Sequence, residues 1–426
     1  MRRRCIALAV CAVALLVTPA ATAQPGCDGV RTDGAWTVVA SPELPQRPVD
    51  TARAADPDST SGRQISAYAV DRERRERLYV TNGVAVLRSS DGGCSWEEVF
   101  SPPAVPSPEL PFTAQDAVVV DVLVPVGGGG RVHLLVQAGG TGRPYVLTSP
   151  DGRAPYAAAG SGLPPTADTC TTSLARRCRL QSAPSDPDRL LLTLTGPAPL
   201  QATGRLLVSD DAGATWSARP NPDPGQQQAA LPRTLYEQLA VDPFDADRLY
   251  ALVSEILWQS GDFGRSWRRL DVRDGVRDLS LLDVARQQGM PARVRTFQPG
   301  AFGGDPGLLE SRDGGEEFRL RPALDLLGDL TSVAHGADLD ELVVTTENDP
   351  ARNVHVYVAD RDLWAPVNTL GERGAGLTDV QATAGADPDY WFRGPQGLAR
   401  LDLDAVGSIQ VVLPDPPVRR CAPAGR

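Results

Sequence analysis

Lysine is absent from this chain of 426 residues, so all 42 basic side chains are arginines. Acidic residues number 53, and the formal net charge is −11. A nucleic-acid-binding protein is expected to carry a basic face, so the acidic balance argues against nucleic acid as a partner. The arginine bias, with abundant alanine, glycine and proline, is typical of coding in a GC-rich, bacterial genome.

Histidine is scarce, and the common catalytic motifs are missing. The three histidines, His133, His335 and His355, lie far apart and show no metal-site spacing. The glycine run at 127–130 lacks the Lys-Ser/Thr that completes a phosphate-binding loop. No Gly-x-Ser-x-Gly elbow is present either. The sequence therefore predicts no metal, no cofactor and no hydrolase nucleophile of that type.

Long apolar runs are confined to the first residues of the chain. Arg2-Arg3-Arg4 precedes an apolar run from Cys5 to Val17, and Ala21-Thr22-Ala23 follows as a small-residue cleavage site. This pattern predicts a secretory signal peptide over residues 1–23, cleaved after Ala23. The run is too short for a membrane span. We expect a secreted or extracytoplasmic protein, monomeric and without stable membrane insertion.

Five of the seven cysteines follow the predicted cleavage site, and export permits disulfide bonds. Cys170 and Cys178 bracket a short polar loop and are predicted to pair. Cys27 and Cys421 stand at the two ends of the mature domain, and we predict a second bond between them. Cys94 is then left over, and a Cys27–Cys94 bond remains the alternative.

One octet recurs along the chain with the spacing Ser-x-Asp-x-Gly-x-x-aromatic, at intervals of about 50 to 60 residues. A worn second copy carries Arg153 at the glycine position. The defining residues of the five copies are Ser89, Asp91, Gly93 and Trp96; Ser149, Asp151 and Tyr156; Ser209, Asp211, Gly213 and Trp216; Ser260, Asp262, Gly264 and Trp267; and Ser311, Asp313, Gly315 and Phe318. A period of this size indicates a propeller or another repeat array.

Each octet is predicted to be a tight turn between two strands. A short apolar run leads into it, such as Leu206-Leu207-Val208 before the third copy. Aspartate bonds nearby backbone amides, and glycine supplies a positive φ. The aromatic residue then anchors the next strand, because such a ring buries roughly 150–250 Å². We therefore interpret the octet aspartates as structural rather than catalytic.

Seven units with short strands, frequent glycine and proline turns and no long amphipathic helix predict an all-β protein. The predicted architecture is a single seven-bladed β-propeller, with six or eight blades as alternatives. Residues 64–413 form the propeller, and residues 24–63 hold a Pro-rich linker and a strand from Val30 to Val39 that closes the last blade. Residues 414–426 form a C-terminal tail.

The octet resembles the Asp-box, or BNR repeat, of sialidases, sortilin-type receptors, xyloglucanases and photosystem II assembly factors. The resemblance covers about residues 64 to 413. It implies that the octet joins the third and fourth strands of a blade, away from the ligand face. Enzymes, receptors and assembly factors all carry this repeat, so the resemblance implies a fold and not one function.

Two functions from different classes follow from these observations. A sialidase-like site needs three arginines for the substrate carboxylate, a tyrosine activated by a glutamate, and an aspartate as general acid/base. Gln46-Arg47-Pro48 lacks the isoleucine of the expected arginine motif, and the neighbours Tyr236 and Glu237 are expected to point to opposite faces of a strand. We therefore expect a non-catalytic binding or scaffold module for a protein, peptide or glycan, with an exo-sialidase-like glycoside hydrolase as the alternative.

Overall fold

Short antiparallel strands make up the regular structure that the computed structural model describes. It describes residues 22–23, 27, 29–45, 65–138, 142–164, 178–195, 204–222, 236–272, 279–298, 307–322, 330–336, 339–346, 353–358, 363–367, 376–384, 387–395 and 397–403. The part described contains no helix, and hence none long and apolar enough to cross a membrane.

The first three blades each contain four consecutive strands paired in sequence order. Blade 1 holds β4 (Ala67–Val70), β5 (Leu78–Thr81), β6 (Val86–Ser89) and β7 (Glu97–Phe100). Blade 2 holds β8 (Ala117–Leu123), β9 (Val132–Ala138), β10 (Arg143–Ser149) and β11 (Ala157–Ala159). Blade 3 holds β12 (Arg179–Ala183), β13 (Asp186–Thr195), β14 (Gly204–Ser209) and β15 (Ser217–Arg219).

The next three blades repeat this meander. Blade 4 holds β16 (Tyr236–Asp242), β17 (Asp245–Val253), β18 (Ile256–Ser260) and β19 (Arg268–Arg269). Blade 5 holds β20 (Ser280–Ala285), β21 (Arg293–Gln298), β22 (Gly307–Ser311) and β23 (Arg319–Pro322). Blade 6 holds β24 (Leu330–His335), β25 (Leu342–Thr346), β26 (Val354–Val358) and β27 (Leu363–Pro366).

Blade 7 is completed by the start of the chain. Its own strands are β28 (Thr378–Ala382), β29 (Tyr390–Gly394) and β30 (Gly397–Leu401). The outer edge of β30 pairs with β3 (Trp36–Ala40), which is followed outward by β2 (Val30–Asp33). In the uncleaved chain β1 (Thr22–Ala23), the last two residues of the predicted signal peptide, pairs with β2. The register joins Val38 to Ala399. The predicted closure by an N-terminal strand is confirmed, and residues 404–413, the end of the predicted propeller, lie outside the described residues.

The core is divided among the interfaces between blades. Buried residues of blade 1 pack with those of blade 2, for example Tyr79 with Leu134, and residues of blade 3 pack with those of blade 4, for example Leu191 with Leu249. This distribution explains why middle strands such as β9 are buried along their whole length. Both faces of each blade are apolar because each faces another blade. The predicted seven-bladed all-β propeller is confirmed.

Candidate functional site at the axis of the ring

All five octets connect the third and fourth strands of a blade, and their serine is the last residue of the third strand. The serine hydroxyl is buried and caps the turn: Ser209 Oγ accepts a hydrogen bond from Gly213 N at 2.8 Å. The same bond joins Ser89 to Gly93 at 2.8 Å, Ser260 to Gly264 at 2.9 Å and Ser311 to Gly315 at 2.7 Å. Each glycine has a positive φ, between 81° and 99°. The octets are turns, as predicted.

The octet aspartate bonds a residue that the sequence pattern overlooked. Asp211 Oδ1 accepts from Thr215 N at 2.8 Å, and Asp211 Oδ2 accepts from Thr215 Oγ1 at 2.6 Å. Ser95 and Ser266 occupy the equivalent place before the aromatic and make the same two bonds. The Thr215 bonds hold the pKa of Asp211 below its usual range. Both carboxylate oxygens are therefore used within the turn.

In the worn second octet the aspartate bonds a different amide, two residues on instead of four, and the glycine cap is missing. Asp151 Oδ1 accepts a hydrogen bond from Arg153 N at 3.0 Å, and Ser149 Oγ donates to the Arg153 carbonyl. Gly152 takes over the positive φ, at 73°. Tyr156 is buried, as the anchor role predicts.

The octet aromatics are buried to different degrees. Trp216 is 5% exposed, and its indole N–H donates to Gly213 O at 3.0 Å. Phe318 is buried as well, at 8% exposure. Trp96 and Trp267 are only partly buried at the edges of their apolar clusters. The anchor interpretation therefore fits Trp216 better than Trp96.

The octet glycine also lets neighbouring blades approach closely. A Cβ built on Gly315 would lie 2.8 Å from a Leu270 methyl of the preceding blade. A Cβ on Gly93 would lie 2.3 Å from a Val39 methyl. Val39 belongs to β3, so the blade that precedes blade 1 around the ring is blade 7 with its closing strands. The octets thus act as joints between blades as well as turns.

This joint explains a wrong prediction about the cysteines. Cys27 is bonded to Cys94, with 5.0 Å between their Cα atoms, so the predicted Cys27–Cys421 bond is wrong. The first octet packs on the closing strands, which brings Cys94 beside the segment that leads into β2. Cys178 is disulfide-bonded, but Cys170 lies outside the described residues, as does Cys421, so the Cys170–Cys178 pairing stays a prediction.

The octets define one face of the ring. Their turns are bonded to the beginning of the second strand of the same blade: Ala212 N donates to Asp188 O of β13 at 2.8 Å, and Phe263 N donates to Asp247 O of β17 at 2.8 Å. We call this side the octet face. Because successive strands alternate in direction, the innermost strands begin at the opposite face.

The innermost strands, β4, β8, β12, β16, β20, β24 and β28, surround the axis and contact one another in turn. Register shifts mark a β-bulge in β8, β16, β20, β24 and β28. The side chain after the bulge then reaches the next blade: Asp121 accepts from Leu180 N at 2.9 Å, and Ser332 accepts from Val380 N at 3.0 Å. Gln238 accepts from Leu282 N in the same way. A bulge re-aims a side chain, and here it links blades around the axis.

Charged groups from blades that are not neighbours meet near the start of these strands. Arg179 of blade 3 lies 3.6 Å from Asp379 Oδ1 of blade 7, and Arg393 lies 2.6 Å from Asp379 Oδ2. Tyr68 of blade 1 donates to Trp391 O at 2.9 Å and to the Asp379 carbonyl. A pair between blades 3 and 7 must cross the axis. We call Tyr68, Asp121, Arg179, Asp379 and Arg393 the axial cluster.

The electrostatics of the axial cluster follow from its position inside the ring. Burial raises the pKa of Asp121 to about 6, against the opposing effects of Arg179 and the amides of Leu180 and Val122. Burial also raises the pKa of Tyr68 well above its usual value, and Asp379 adds to that rise. The Tyr68 hydroxyl is therefore a neutral hydrogen-bond donor. Half-exposed Arg179 is the most accessible of the ion-pairing groups, with 53% of its side chain in solvent.

A second charged group fills the interface between blades 5 and 6. Arg295 is fully buried and bonds Asp283 Oδ2 at 2.8 Å, Glu310 Oε1 at 3.1 Å and the Leu339 carbonyl. His335 Nδ1 lies 2.9 Å from Asp283 Oδ1. A cleft of about 400 Å³ opens beside Glu310, between Arg312 and Arg319. Arg312 also pairs with Glu310 Oε2 at 3.0 Å. Each carboxylate therefore has an arginine partner, so we interpret the group as structural.

The remaining histidines are strand residues. His133 is fully buried on β9 with Nδ1 2.8 Å from Thr148 Oγ1, and burial lowers the pKa of His133 to about 3. His355 is buried on β26. Within the described ranges, no three His, Cys, Asp or Glu side chains form a group that could hold a metal ion.

The chain matches no known protein-family model and no curated protein, but solved propeller structures resemble it. The GH74 xyloglucanase from Xanthomonas campestris is 17% identical with a TM-score of 0.57, covering 82% of this chain and 53% of its own. YCF48 from Cyanidioschyzon merolae is 13% identical with a TM-score of 0.51, covering 80% of this chain and 96% of its own. Prolyl oligopeptidase B from Galerina marginata is 12% identical with a TM-score of 0.51, covering 82% and 50%. The chain thus spans about half of the two enzymes and nearly all of YCF48. At these identities the likeness shows the fold alone.

The other sequence-derived candidates contribute nothing further to the site. Gln46-Arg47-Pro48 lies outside the described residues. Tyr236 and Gln238 are consecutive partners in the register, so Glu237 occupies the bulge of β16.

Proposed function

We propose that the protein is an exported, non-catalytic β-propeller. It binds a protein, peptide or glycan at the mouth of the ring where the axial cluster lies. The octets would be Asp-boxes with a structural role. The observation that carries this proposal is the cross-axis pair of Arg179 and Asp379, in which charged groups from separate blades meet and one guanidinium stays exposed. Rigid scaffolds with polar groups at a concave mouth are typical binding sites.

The chemistry of the octets supports a structural role for their aspartates. A glycosidase needs a free carboxyl pair facing one bond of the substrate. Asp91, Asp211 and Asp262 each spend both carboxylate oxygens on a hydroxyl and an amide of their own turn. They also lie at the face opposite to the axial cluster.

One observation favours a glycoside hydrolase as the second candidate. Asp121 lies near the axis with a pKa raised to about 6 by burial, and a general acid in a glycosidase requires a raised pKa. Xyloglucan hydrolysis, named for the Xanthomonas structure, is one activity of that class. This candidate requires that Asp121 donate its proton to a bound sugar.

The discriminating experiment is a fluorogenic glycoside panel, sialosides included, with the purified wild-type protein and the Asp121→Asn variant. We expect no turnover by either protein, with circular dichroism showing that both are folded. Turnover that Asp121→Asn abolishes would overturn the non-catalytic proposal in favour of the hydrolase.

A second experiment tests binding. Wild type and Arg179→Gln are each cross-linked in cells to the partners that they bind. Arg205→Gln serves as a matched control, since Arg205 lies on β14 away from the innermost strands. We expect a partner or glycan that is retained by wild type and by Arg205→Gln but lost by Arg179→Gln. Equal retention by all three proteins would place the binding surface elsewhere.

A further inference from the structure

The joint between blades 4 and 5 shows how a row of polar side chains is satisfied against an octet. In blade 4, Tyr250 pairs across the sheet with Gln259, which pairs with Arg268. This row faces the octet of blade 5, where Tyr250 Oη donates to Gly314 O at 3.2 Å. Gln259 Nε2 donates to the same carbonyl at 3.0 Å, and Arg268 Nε donates to Gln259 Oε1 at 2.8 Å. The aromatic residue of that octet, Phe318, has no hydroxyl to satisfy.

The joint between blades 1 and 2 has the same plan with other residues. Tyr79 pairs across the sheet with Arg88, which pairs with Glu97. This row faces the worn octet of blade 2, since a Cβ built on Gly152 would overlap the Tyr79 hydroxyl. At the other end of the row, Glu97 Oε1 lies 3.4 Å from Arg153 Nε of the same octet. Arg88 therefore stands between these two contacts, against the octet.

Three buried polar atoms of this joint have no hydrogen-bond partner in the described part of the chain: Tyr79 Oη, Tyr156 Oη and Arg88 Nε. Tyr156 is the aromatic residue of the worn octet, and it packs in the same apolar cluster as Tyr79. None of the three residues is more than 5% exposed. Burial raises the pKa of both tyrosines, so their hydroxyls keep their protons and can donate. The joint thus holds three buried donors that are costly to leave unpaired.

The charges of the joint leave its buried side positive. Arg88 is buried, and among the described residues its ion pair is with Glu97 Oε1 at 2.9 Å. Glu97 is 49% exposed and also pairs with Arg153, so one solvated carboxylate serves two guanidinium groups. The octet carboxylate of Asp151 bonds its own turn. A negative partner at the Nε–H of Arg88 would therefore stabilise the buried cation.

We propose that Tyr79, Arg88 and Tyr156 together bind a halide ion, chloride in physiological solution, in the joint between blades 1 and 2. A water oxygen has two lone pairs, so it accepts from two of the three donors and leaves the third unpaired, whereas a halide ion accepts from all three. The close packing of Tyr79 on Gly152 favours a monatomic anion over sulfate or phosphate. The site lies apart from the axial cluster and is independent of its ligand.

Thermal unfolding of the purified protein tests this site in solution, with sodium chloride replaced stepwise by sodium gluconate at one ionic strength. We expect the Tm of wild type to rise by roughly 2 °C for each tenfold increase in chloride above the dissociation constant, because the ligand binds only the folded state. The double variant Arg88→Gln, Tyr156→Phe copies the residues of the joint between blades 4 and 5, so it should fold but lose this response. Arg268→Gln is the matched control. It removes a half-exposed arginine from the equivalent row of blade 4 and should respond as wild type does.

Crystals of wild type grown in sodium bromide provide a direct test that needs no variant. We expect an anomalous difference peak within hydrogen-bond reach of Tyr79 Oη, Tyr156 Oη and Arg88 Nε. An ordered water at that point without bromide signal overturns the inference. A chloride response that is equal in wild type and the double variant overturns it as well.

Discussion

The octet serine and the octet aspartate satisfy different backbone groups of the same turn. Ser209 accepts from the glycine amide, and Asp211 accepts from the amide and hydroxyl of Thr215. The spacing of aspartate and glycine predicted the turn. It did not predict that a hydroxyl group would donate a hydrogen bond to the aspartate. That signal was present in Ser95, Thr215 and Ser266, one position before each tryptophan.

Replacing Trp216 by alanine should lower the free energy of unfolding by about 3–5 kcal/mol, the range for deleting a buried aromatic. Trp216 is 5% exposed and loses both its packing and its bond to Gly213 O. Urea unfolding followed by circular dichroism measures the change. Trp96→Ala is the control and should cost less, because Trp96 is only partly buried. An unchanged midpoint for Trp216→Ala would show that the ring does not anchor the blade.

Asp121→Asn should change how stability depends on pH. Burial raises the pKa of Asp121 from its ordinary value to about 6. A raised carboxyl pKa favours the folded state at low pH, and that contribution is lost as pH rises towards 6. The variant should therefore gain on wild type by up to about 3 kcal/mol between pH 4 and pH 7.

The measurement is urea unfolding of both proteins at several pH values in that window. Asp210→Asn is the control, since Asp210 is exposed at the second position of the third octet, and the difference in stability between this variant and wild type should not change with pH. A constant difference between Asp121→Asn and wild type would mean that Asp121 titrates as an ordinary carboxyl.

The sequence predicted the strands of each blade well, but it did not predict the contacts between blades. Alternating apolar runs and the octet period gave the strands and their order. The charges that join blades came from solitary residues, such as Arg179 and Asp379, which no motif marks. Their meeting depends on bulges in the innermost strands and on closure of the ring, and neither leaves a local pattern.

Arg295→Met should lower the free energy of unfolding by about 3 kcal/mol, because it leaves Asp283 and Glu310 buried without their shared cation. Chemical denaturation measures the loss. Arg319→Met, at an exposed arginine on the same blade, should change stability by only a few tenths of a kcal/mol. A stable Arg295→Met protein would show that the other arginines near Glu310 suffice.

Two contacts of the N-terminal segment hold the ring closed where blade 7 meets blade 1. Strand β3 completes blade 7, and the Cys27–Cys94 bond fastens the same N-terminal segment to blade 1. The sequence predicted the strand from Val30 to Val39 that closes the last blade. It misassigned the bond, because it could not show that the first octet packs on the closing strands.

Cys27→Ser should lower the free energy of unfolding by about 4 kcal/mol, as expected for a bond that spans 67 residues. Cys94→Ser should cost the same, and the double variant no more than either single one. Non-reducing peptide mapping of wild type provides the direct check. A Cys27–Cys421 peptide in that map would contradict the structure.

The closing strand also determines when the ring can be completed during folding. During synthesis β3 emerges with the first residues, but its partner β30 follows roughly 360 residues later, and such distant pairing is slow because the intervening chain must be closed into one loop. Until then blade 7 has no outer strand and the first segment no sheet to join. A circular permutant that carries residues 29–45 after residue 403 would make that pairing local. Comparing its folding rate with that of wild type would show how much the distant pairing of β3 with β30 slows folding.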